Sequence, residues 1–326
     1  MPATSVASLG LHILEVEITT RCNLNCQICY NRGHGIIDLP FSSIIRLVSF
    51  AKRYKIFRLV ISGGEACLHP EFNRLARYFL RYQPEVKPVI QSNGLIGRYS
   101  PELLRGFGLV HLSIEPEETG VRETLPNQIV TTALRLKNAG IGAYLFATVH
   151  PGNLDKIDWL VDLANTNQLD IGFNLCVPVQ HRNQLMLSNE QREWAIRKLF
   201  GLAQEGKILR FTSPFAAMLD QKHSDRYLGN RGGCTAGIAA CSILPDGDVV
   251  PCPFFRLSVG NIFQKSLRQI WLGSDILAQI RARNQYDQPC GNCPYLSYCG
   301  GCRARAYSKT KSLYGADPDC LPQLAT

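Results

Sequence analysis

The residues best equipped for chemistry are the cysteines, of which this 326-residue chain has thirteen. Three fall in Cys22-Asn-Leu-Asn-Cys26-Gln-Ile-Cys29-Tyr30, a C-x3-C-x2-C spacing directly after an apolar, strand-like stretch. Three thiolates can hold three irons of a four-iron cluster and leave the fourth iron open to an external ligand. Tetrahedral zinc would want a fourth Cys or His, and His34 stands nearby, so a zinc site is the alternative. Eight more cysteines lie between 234 and 320. Cys234, Cys241 and Cys252 surround the turn Pro245-Asp-Gly-Asp248; Cys290-x2-Cys293-x5-Cys299-x2-Cys302 follows, and then Cys320. Eight thiolates satisfy two fully protein-ligated four-iron clusters or two zinc ions, and composition leaves both open. Cys67 and Cys176 stand alone.

The rest of the composition sets the surroundings. An odd cysteine count argues against a disulfide framework. The N-terminus lacks a basic region and cleavage site, and no apolar run of about 18 residues exists. A cytoplasmic protein with no membrane partner is therefore expected. The formal charge is +9, but the basic residues are scattered and form no block, which speaks against nucleic acid. One three-thiolate and two four-thiolate clusters would remove about 5 charges and leave roughly +4, which suits an acidic substrate.

Positioning these groups requires a scaffold, and the pattern supplies one. Short apolar runs predict strands at Ile13–Ile18, Phe57–Ser62, Val86–Gln91, Leu109–Ile114, Gly142–Val149 and Asp170–Leu175. Helical stripes lie between them: Phe72, Leu75, Ala76, Phe79 and Leu80 in one, Ile157, Leu160, Val161 and Ala164 in another. Gly140 stands where a helix should close. Six strand–helix units imply a parallel sheet with ligands at the C-terminal strand ends. Ser188-Asn-Glu-Gln191 has the form of a capping box that opens a helix to about Gln204. From Gly232 onward Gly, Pro and Cys dominate, apart from a short helix near Ser266–Arg283, and metal would have to staple the region. The organisation expected is a core at 1–205, a linker at 206–231 and a cysteine-rich domain at 232–326.

The first cysteine triad and its following aromatic resemble the signature of the radical S-adenosylmethionine (SAM) superfamily. The resemblance implies a fold, α/β with a partial (β/α)6 TIM-like barrel, and a SAM-chelating cluster that generates a 5′-deoxyadenosyl radical. Gly63-Gly64-Glu65 resembles the family's GGE segment at the SAM amine. Glycines let backbone approach a ligand, and a carboxylate meets an ammonium. By resemblance Ser92 and Asn93 sit beside the ribose and Tyr30 near adenine. Ser113 and Glu115 end the fourth strand, where relatives have a serine and an aspartate. Cys67, three residues beyond Gly64, is a candidate catalytic residue, and a buried structural role is its alternative.

The stretch from Gly233-Cys234 through Pro251-Cys252 to Cys299-Gly-Gly-Cys302-Arg-Ala-Arg-Ala306 resembles a SPASM domain. The resemblance assigns Cys234, Cys241, Cys252 and Cys302 to one auxiliary cluster and Cys290, Cys293, Cys299 and Cys320 to a second. Three [4Fe-4S] clusters follow in all, with SAM as cofactor or co-substrate. Modification of a ribosomally made precursor peptide by crosslinking, epimerisation or backbone excision is the leading expectation. Because the first strand begins by Ile13, a small separate leader-binding protein is expected, with flavodoxin or ferredoxin as reductant. Cys-Gly-Gly-Cys302-Arg-Ala-Arg-Ala-Tyr-Ser308 with Asp317-Pro-Asp-Cys320 also resembles enzymes that alter tetrapyrrole (haem-like) side chains. A non-enzymatic metal-cluster scaffold is the third possibility, and the open iron and GGE segment weigh against it.

Overall fold

The computed structural model describes residues 9–31, 35–82, 87–115, 125–177, 185–208, 210–215, 233–297 and 299–321. His34, Val86 and most of the segment read as a linker lie outside them. Six parallel strands follow the sequence pattern: β1 (Ile13–Glu17), β2 (Arg58–Ser62), β3 (Val89–Ser92), β4 (Leu109–Ser113), β5 (Gly142–Val149) and β6 (Asp170–Leu175). Between them run α1 (Phe41–Arg53), α2 (Phe72–Tyr82), α3 (Pro101–Leu104), α4 (Leu125–Asn138) and α5 (Ile157–Thr166). After β6 comes α6 (Asn189–Gln204), opened by both arms of the capping box: Gln191 N donates to Ser188 Oγ, and Ser188 N to Gln191 Oε1. Gly140 takes φ +77° after α4, the left-handed position that favours glycine at a helix end.

A seventh parallel strand, β7 (Arg210–Thr212), joins β6 inside the stretch read as a linker. Three residues are too few to show a period. The C-terminal region adds β8 (Ala240–Ile243), β9 (Asp248–Val250) and β10 (Gly260–Asn261), then α7 (Leu267–Gly273), α8 (Asp275–Arg281) and α9 (Arg303–Thr310). The helix expected near Ser266–Arg283 is thus two, each with its own serine cap, Ser266 and Ser274. Strand β8 pairs in parallel with β1, so one unclosed sheet runs in the order β10-β9-β8-β1-β2-β3-β4-β5-β6-β7. No helix of the described residues is long and apolar enough to cross a membrane.

The two faces of this sheet differ. Residues paired across parallel strands share a face. Leu14, Ile61, Ile90, Leu112, Leu145 and Phe173 lie on one, all buried, against the helices. The α2 stripe of Phe72, Leu75, Ala76 and Phe79 is essentially solvent-free, and each large side chain there contributes about 1.5–3 kcal/mol by burial. The opposite face holds Glu15, Glu17, Ser62, Gln91, His111, Ser113, Tyr144, Thr148 and Asn174. The described helices cover the first face; the second is the concave inner face of the unclosed sheet, where these polar groups stand among Val60, Val89, Leu109 and Phe146.

Candidate functional site

Strand β1 delivers the chain straight into the first cysteine loop. The loop's base is pinned twice. Thr20 N donates to Ile37 O and Leu39 N to Ile18 O, and Asp38 accepts from Thr19 Oγ1 at 2.5 Å and from Arg21 Nε at 3.0 and 3.1 Å. Residues 63–65 clamp the same base, with Gly64 N donating to Thr19 O at 2.8 Å and Glu65 N to Arg21 O at 2.7 Å. A Cβ on Gly63 would collide with Thr19 O, and one on Gly64 with Arg21 O. The glycines are therefore required for close approach to the cysteine loop itself. The sequence argument assigned such an approach to a ligand; packing against the cysteine loop is a second demand on the same glycines.

Backbone and side-chain N–H groups face the thiols. Cys22 Sγ accepts from Leu24 N at 3.4 Å and Asn93 Nδ2 at 3.7 Å, and Cys29 Sγ accepts from Asn31 N at 3.3 Å. Such donors favour thiolate ligands. Among the described residues no three His, Cys, Asp or Glu side chains converge as a single metal ion requires, and His34, the fourth ligand of the zinc alternative, lies outside those residues.

Glu65 is buried beside this loop. Its Oε2 accepts from Asn93 N at 2.7 Å and its Oε1 from Cys67 N at 3.4 Å. Burial raises its pKa, and hydrogen bonds from the Cys67 and Ser92 side chains work against that. Ser92 Oγ also accepts from Gly94 N and Ile96 N, at 3.2 and 3.3 Å, which fixes the turn after β3. Burial, and then the Glu65 charge, push the Cys67 thiol far up, so it stays protonated and braces Glu65. Asn93 Nδ2 donates to Asn23 Oδ1 at 3.0 Å, tying the turn to the cysteine loop. Ser113 is exposed at the end of β4, and Glu115 is buried, with Oε1 accepting from Thr148 N at 3.1 Å. Tyr30 lies edge-on to Phe254 at 5.0 Å, with the Arg256 guanidinium 5.3 Å above its ring.

Several residues of the concave face were not singled out from sequence. Glu17 is fully buried and accepts from Arg256 Nη2 at 2.8 and 2.9 Å. Burial moves its pKa up to about 7, against the lowering effect of Arg256. Glu15 accepts from Ser62 Oγ at 2.7 Å, and His111 Nδ1 contacts Tyr144 OH at 3.1 Å. The signal for the two acids was present: Glu15 and Glu17 alternate with Leu14 and Val16. Nothing in the sequence marks Arg256, which lies 239 residues from its partner.

The C-terminal cysteines separate into two groups. Burial, and then the neighbouring Cys234 and Cys302, push the Cys252 thiol well up, and burial with Cys234 nearby puts Cys302 at about 11 against the lowering effect of Arg305. Cys241 lies on the helix-covered face, paired in register with Leu14, and Arg281 is its charged neighbour; burial holds it at about 12. Cys290, Cys293, Cys299 and Cys320 line one cavity of about 430 Å³ together with Phe215 and Asp317. Burial, then mutual repulsion with neighbouring acids and thiols, puts Cys299 at about 12 and Cys320 at about 11. Crowded, buried thiols of this kind ionise together only against a positively charged metal core, which an iron–sulfur cluster supplies. The groups interlock, since Cys234 N donates to Cys299 O at 3.1 Å.

Asp317 joins both groups. It accepts from Cys302 N at 2.6 Å and from Arg305 Nε and Nη2 at 3.0 and 2.7 Å. Burial pushes its carboxyl up, but Arg305 and the backbone N–H groups of Cys302 and Asp319 together hold it below the usual range. Arg303 donates to Gly315 O at 2.8 Å and stacks over Tyr286 at 4.0 Å. Cys176 is buried at the end of β6, its N–H donating to Val149 O at 2.9 Å.

A thiol triad on the loop after the first strand, beside a buried glutamate and joined through one sheet to two further thiol groups, defines an iron–sulfur enzyme. The radical SAM superfamily model matches residues 16–164, and the iron–sulfur cluster-binding domain model termed SPASM matches residues 234–294. The chain is a radical SAM enzyme of the superfamily branch that carries a SPASM domain, and SAM and iron–sulfur clusters are its cofactors. It is similar to an AdoMet-dependent heme synthase of Oleidesulfovibrio alaskensis, 38% identical over 99% of this chain and 90% of that protein. It is 26% identical to a PqqA peptide cyclase of Streptomyces rochei, over 94% of this chain and 88% of the other. Its fold matches that of Streptococcus suis SuiB bound to the precursor peptide SuiA, with a TM-score of 0.75 at 19% identity, over 95% of this chain and 76% of that one.

Proposed function

We propose that this chain is a radical SAM oxidoreductase that modifies a ribosomally synthesised peptide by hydrogen abstraction. In this reading Cys22, Cys26 and Cys29 hold the SAM-binding cluster. Cys234, Cys241, Cys252 and Cys302 hold one auxiliary cluster, and Cys290, Cys293, Cys299 and Cys320 a second, three in all. When bound, the cofactors supply reductive cleavage of SAM to a 5′-deoxyadenosyl radical and a route for the electron that the substrate loses. The protein's part is placement. Glu65 presents a buried carboxylate to the SAM ammonium, and Ser92, Cys67 and the Asn93 backbone fix its two oxygens. Asn93 holds the turn against the cysteine loop, and Gly63 and Gly64 hold the loop against β2. Tyr30 forms a wall toward the adenine side, and Ser113 and Glu115 close the far end of β4.

The observation that carries the reading is the unclosed sheet with polar groups on its concave face. An extended chain enters such a trough from the side, and the half-buried Gln91, His111 and Asn174 offer it polar groups along its length. Similarity to peptide-modifying relatives over most of the chain supports it. A separate leader-binding protein and a flavodoxin or ferredoxin complete the cycle, in the cytoplasm. The test is anaerobic reconstitution with iron and sulfide, reduction, and assay for 5′-deoxyadenosine with candidate precursor peptides from the native host. The proposal expects a peptide-dependent mass change that Cys26→Ala abolishes. Turnover of SAM with every candidate peptide unmodified would count against it.

A second reading, modification of tetrapyrrole side chains, is favoured by the 38% identity to a heme synthase over 99% of the chain. Titration with an iron porphyrin decides between them. A spectral shift followed by SAM-dependent change of the porphyrin establishes the second reading, and no shift removes it.

A further inference from the structure

A cavity of about 720 Å³ opens between the loop that follows Cys252 and helix α9, and its wall includes Phe254, Arg256, Tyr307, Lys309 and Lys311. It lies apart from the cavity of the second cysteine group, and none of its wall residues is a cysteine. Its charges are unevenly committed. Arg305 is spent on Asp317, and Asp319 is held by Arg192 at 3.3 Å and by Arg305 at 3.5 Å. Lys309 and Lys311 are exposed and form no ion pair among the described residues. Arg256, whose side chain is about nine-tenths buried, gives Nη2 to Glu17, while its Nε is enclosed with no hydrogen-bond partner among the described residues. A buried donor left without an acceptor is unfavourable, and an incoming anion that reaches it relieves that cost.

The same Arg256 stands 5.3 Å over the ring of Tyr30, next to Cys29. Phe254, on the cavity wall, touches Tyr30 from the side. Phe254 and Arg256 therefore stand between this cavity and the loop of the first cysteine triad. A group bound at Arg256 would sit at the border of the concave face, and one bound at Lys309 or Lys311 further out along the cavity wall.

We propose that this cavity is a subsite for a substrate bearing two or more carboxylates, one met by Arg256 and another by Lys309 and Lys311. The planar guanidinium suits a carboxylate at the inner, desolvated end, and flexible ammonium groups suit the outer end. The inference deepens the functional reading above and rests on it for the meaning of the inner end. The binding itself is independent of radical chemistry.

The experiment uses the full reconstituted protein, anaerobic and without reductant, so that failure of SAM cleavage cannot be mistaken for failure of this site. A fluorescent oligoglutamate peptide, its oligoglutamine counterpart and a porphyrin tetracarboxylate are titrated by anisotropy and by competition. The glutamate peptide or the porphyrin, or both, should bind in preference to the glutamine control, and which of them binds identifies the source of the carboxylates. The Lys309→Glu/Lys311→Glu variant should weaken that binding roughly tenfold and flatten its salt dependence. Arg256→Lys should weaken it with Glu17 still paired, and iron content and thermal midpoint check that both variants fold. Equal affinity for glutamate and glutamine peptides with no porphyrin binding, or unchanged affinity in the charge-reversed variant, would overturn the assignment.

Discussion

Replacing Arg305 by Met should loosen both cysteine groups of the C-terminal domain at once. The side chains of Arg305 and Asp317 are 3% and 0% exposed, and two hydrogen bonds of 3.0 and 2.7 Å join them. Methionine fills much of the volume but leaves the Asp317 carboxylate without a counter-charge. Breaking a buried pair from one side in this way costs about 3–5 kcal/mol. The damage spreads because Asp317 also accepts from Cys302 N at 2.6 Å and from Asp319 N, next to Cys320, at 3.1 Å. The pH dependence should change sign. In the wild type Asp317 has a depressed pKa, so its contribution is full above the ordinary aspartate range and is lost as pH falls through the folded value. Without Arg305 burial dominates and raises that pKa, so the variant gains stability as pH falls from neutral. The assay is anaerobic urea unfolding followed by visible cluster absorbance, with iron counted before and after desalting. Arg305→Met/Asp317→Asn should recover much of the loss, since it removes the stranded charge and keeps an acceptor. A single-variant cost below about 1 kcal/mol with full iron retention would refute the argument, because a pair so enclosed could not then be holding the tail.

Gly64→Ala drives a methyl group into Arg21 O and should lower iron content by the share of one cluster; retention of all iron with normal SAM cleavage would contradict the packing argument. Glu17→Gln should remove a slope in stability. The folded pKa of about 7 lies above the ordinary glutamate value of 4.5, so wild-type Glu17 adds stability at low pH that is lost as pH rises through 7, and urea midpoints at several pH values read it. Glu65→Gln keeps the shape and hydrogen-bonding capacity but removes the charge, and should weaken SAM binding with little change in iron; an unchanged SAM affinity by equilibrium dialysis would exclude its ammonium-binding role.

The strands were legible because each is an apolar run of four to eight residues, and the observed bounds differ from the expected ones by at most a few residues. The cysteines themselves were legible from spacing, while their partition followed only from the SPASM resemblance; the structure gathers seven of the eight C-terminal thiols as two sets. Cys241 faces Arg281, because a strand residue paired with Leu14 must point to the apolar side. Strands β7 to β10 were not legible, being two to four residues long and set among glycines and prolines. Pairs such as Glu17–Arg256 leave no local trace, since the attraction acts only after the sheet has brought distant segments together. Trp271 is a core residue, its Nε1 donating to Leu9 O at 2.8 Å, whereas Trp159 and Trp194 are about half exposed.

The pairing of β8 with β1 has a consequence for how this protein is made. Strand β1 carries the chain into its first cysteine loop, yet one of its two edges is covered by a strand that begins at Ala240. At ~5–20 residues per second of synthesis, that edge stays bare for on the order of tens of seconds after β1 leaves the ribosome. An unpaired apolar strand edge is a template for aggregation. The contact also spans most of the chain, which slows folding. Biogenesis is therefore a race between aggregation of the N-terminal half and arrival of the C-terminal region, whose iron–sulfur cofactors require iron and sulfide. Starved of iron, a cell should lose this protein as insoluble material before it loses it as an inactive but folded one.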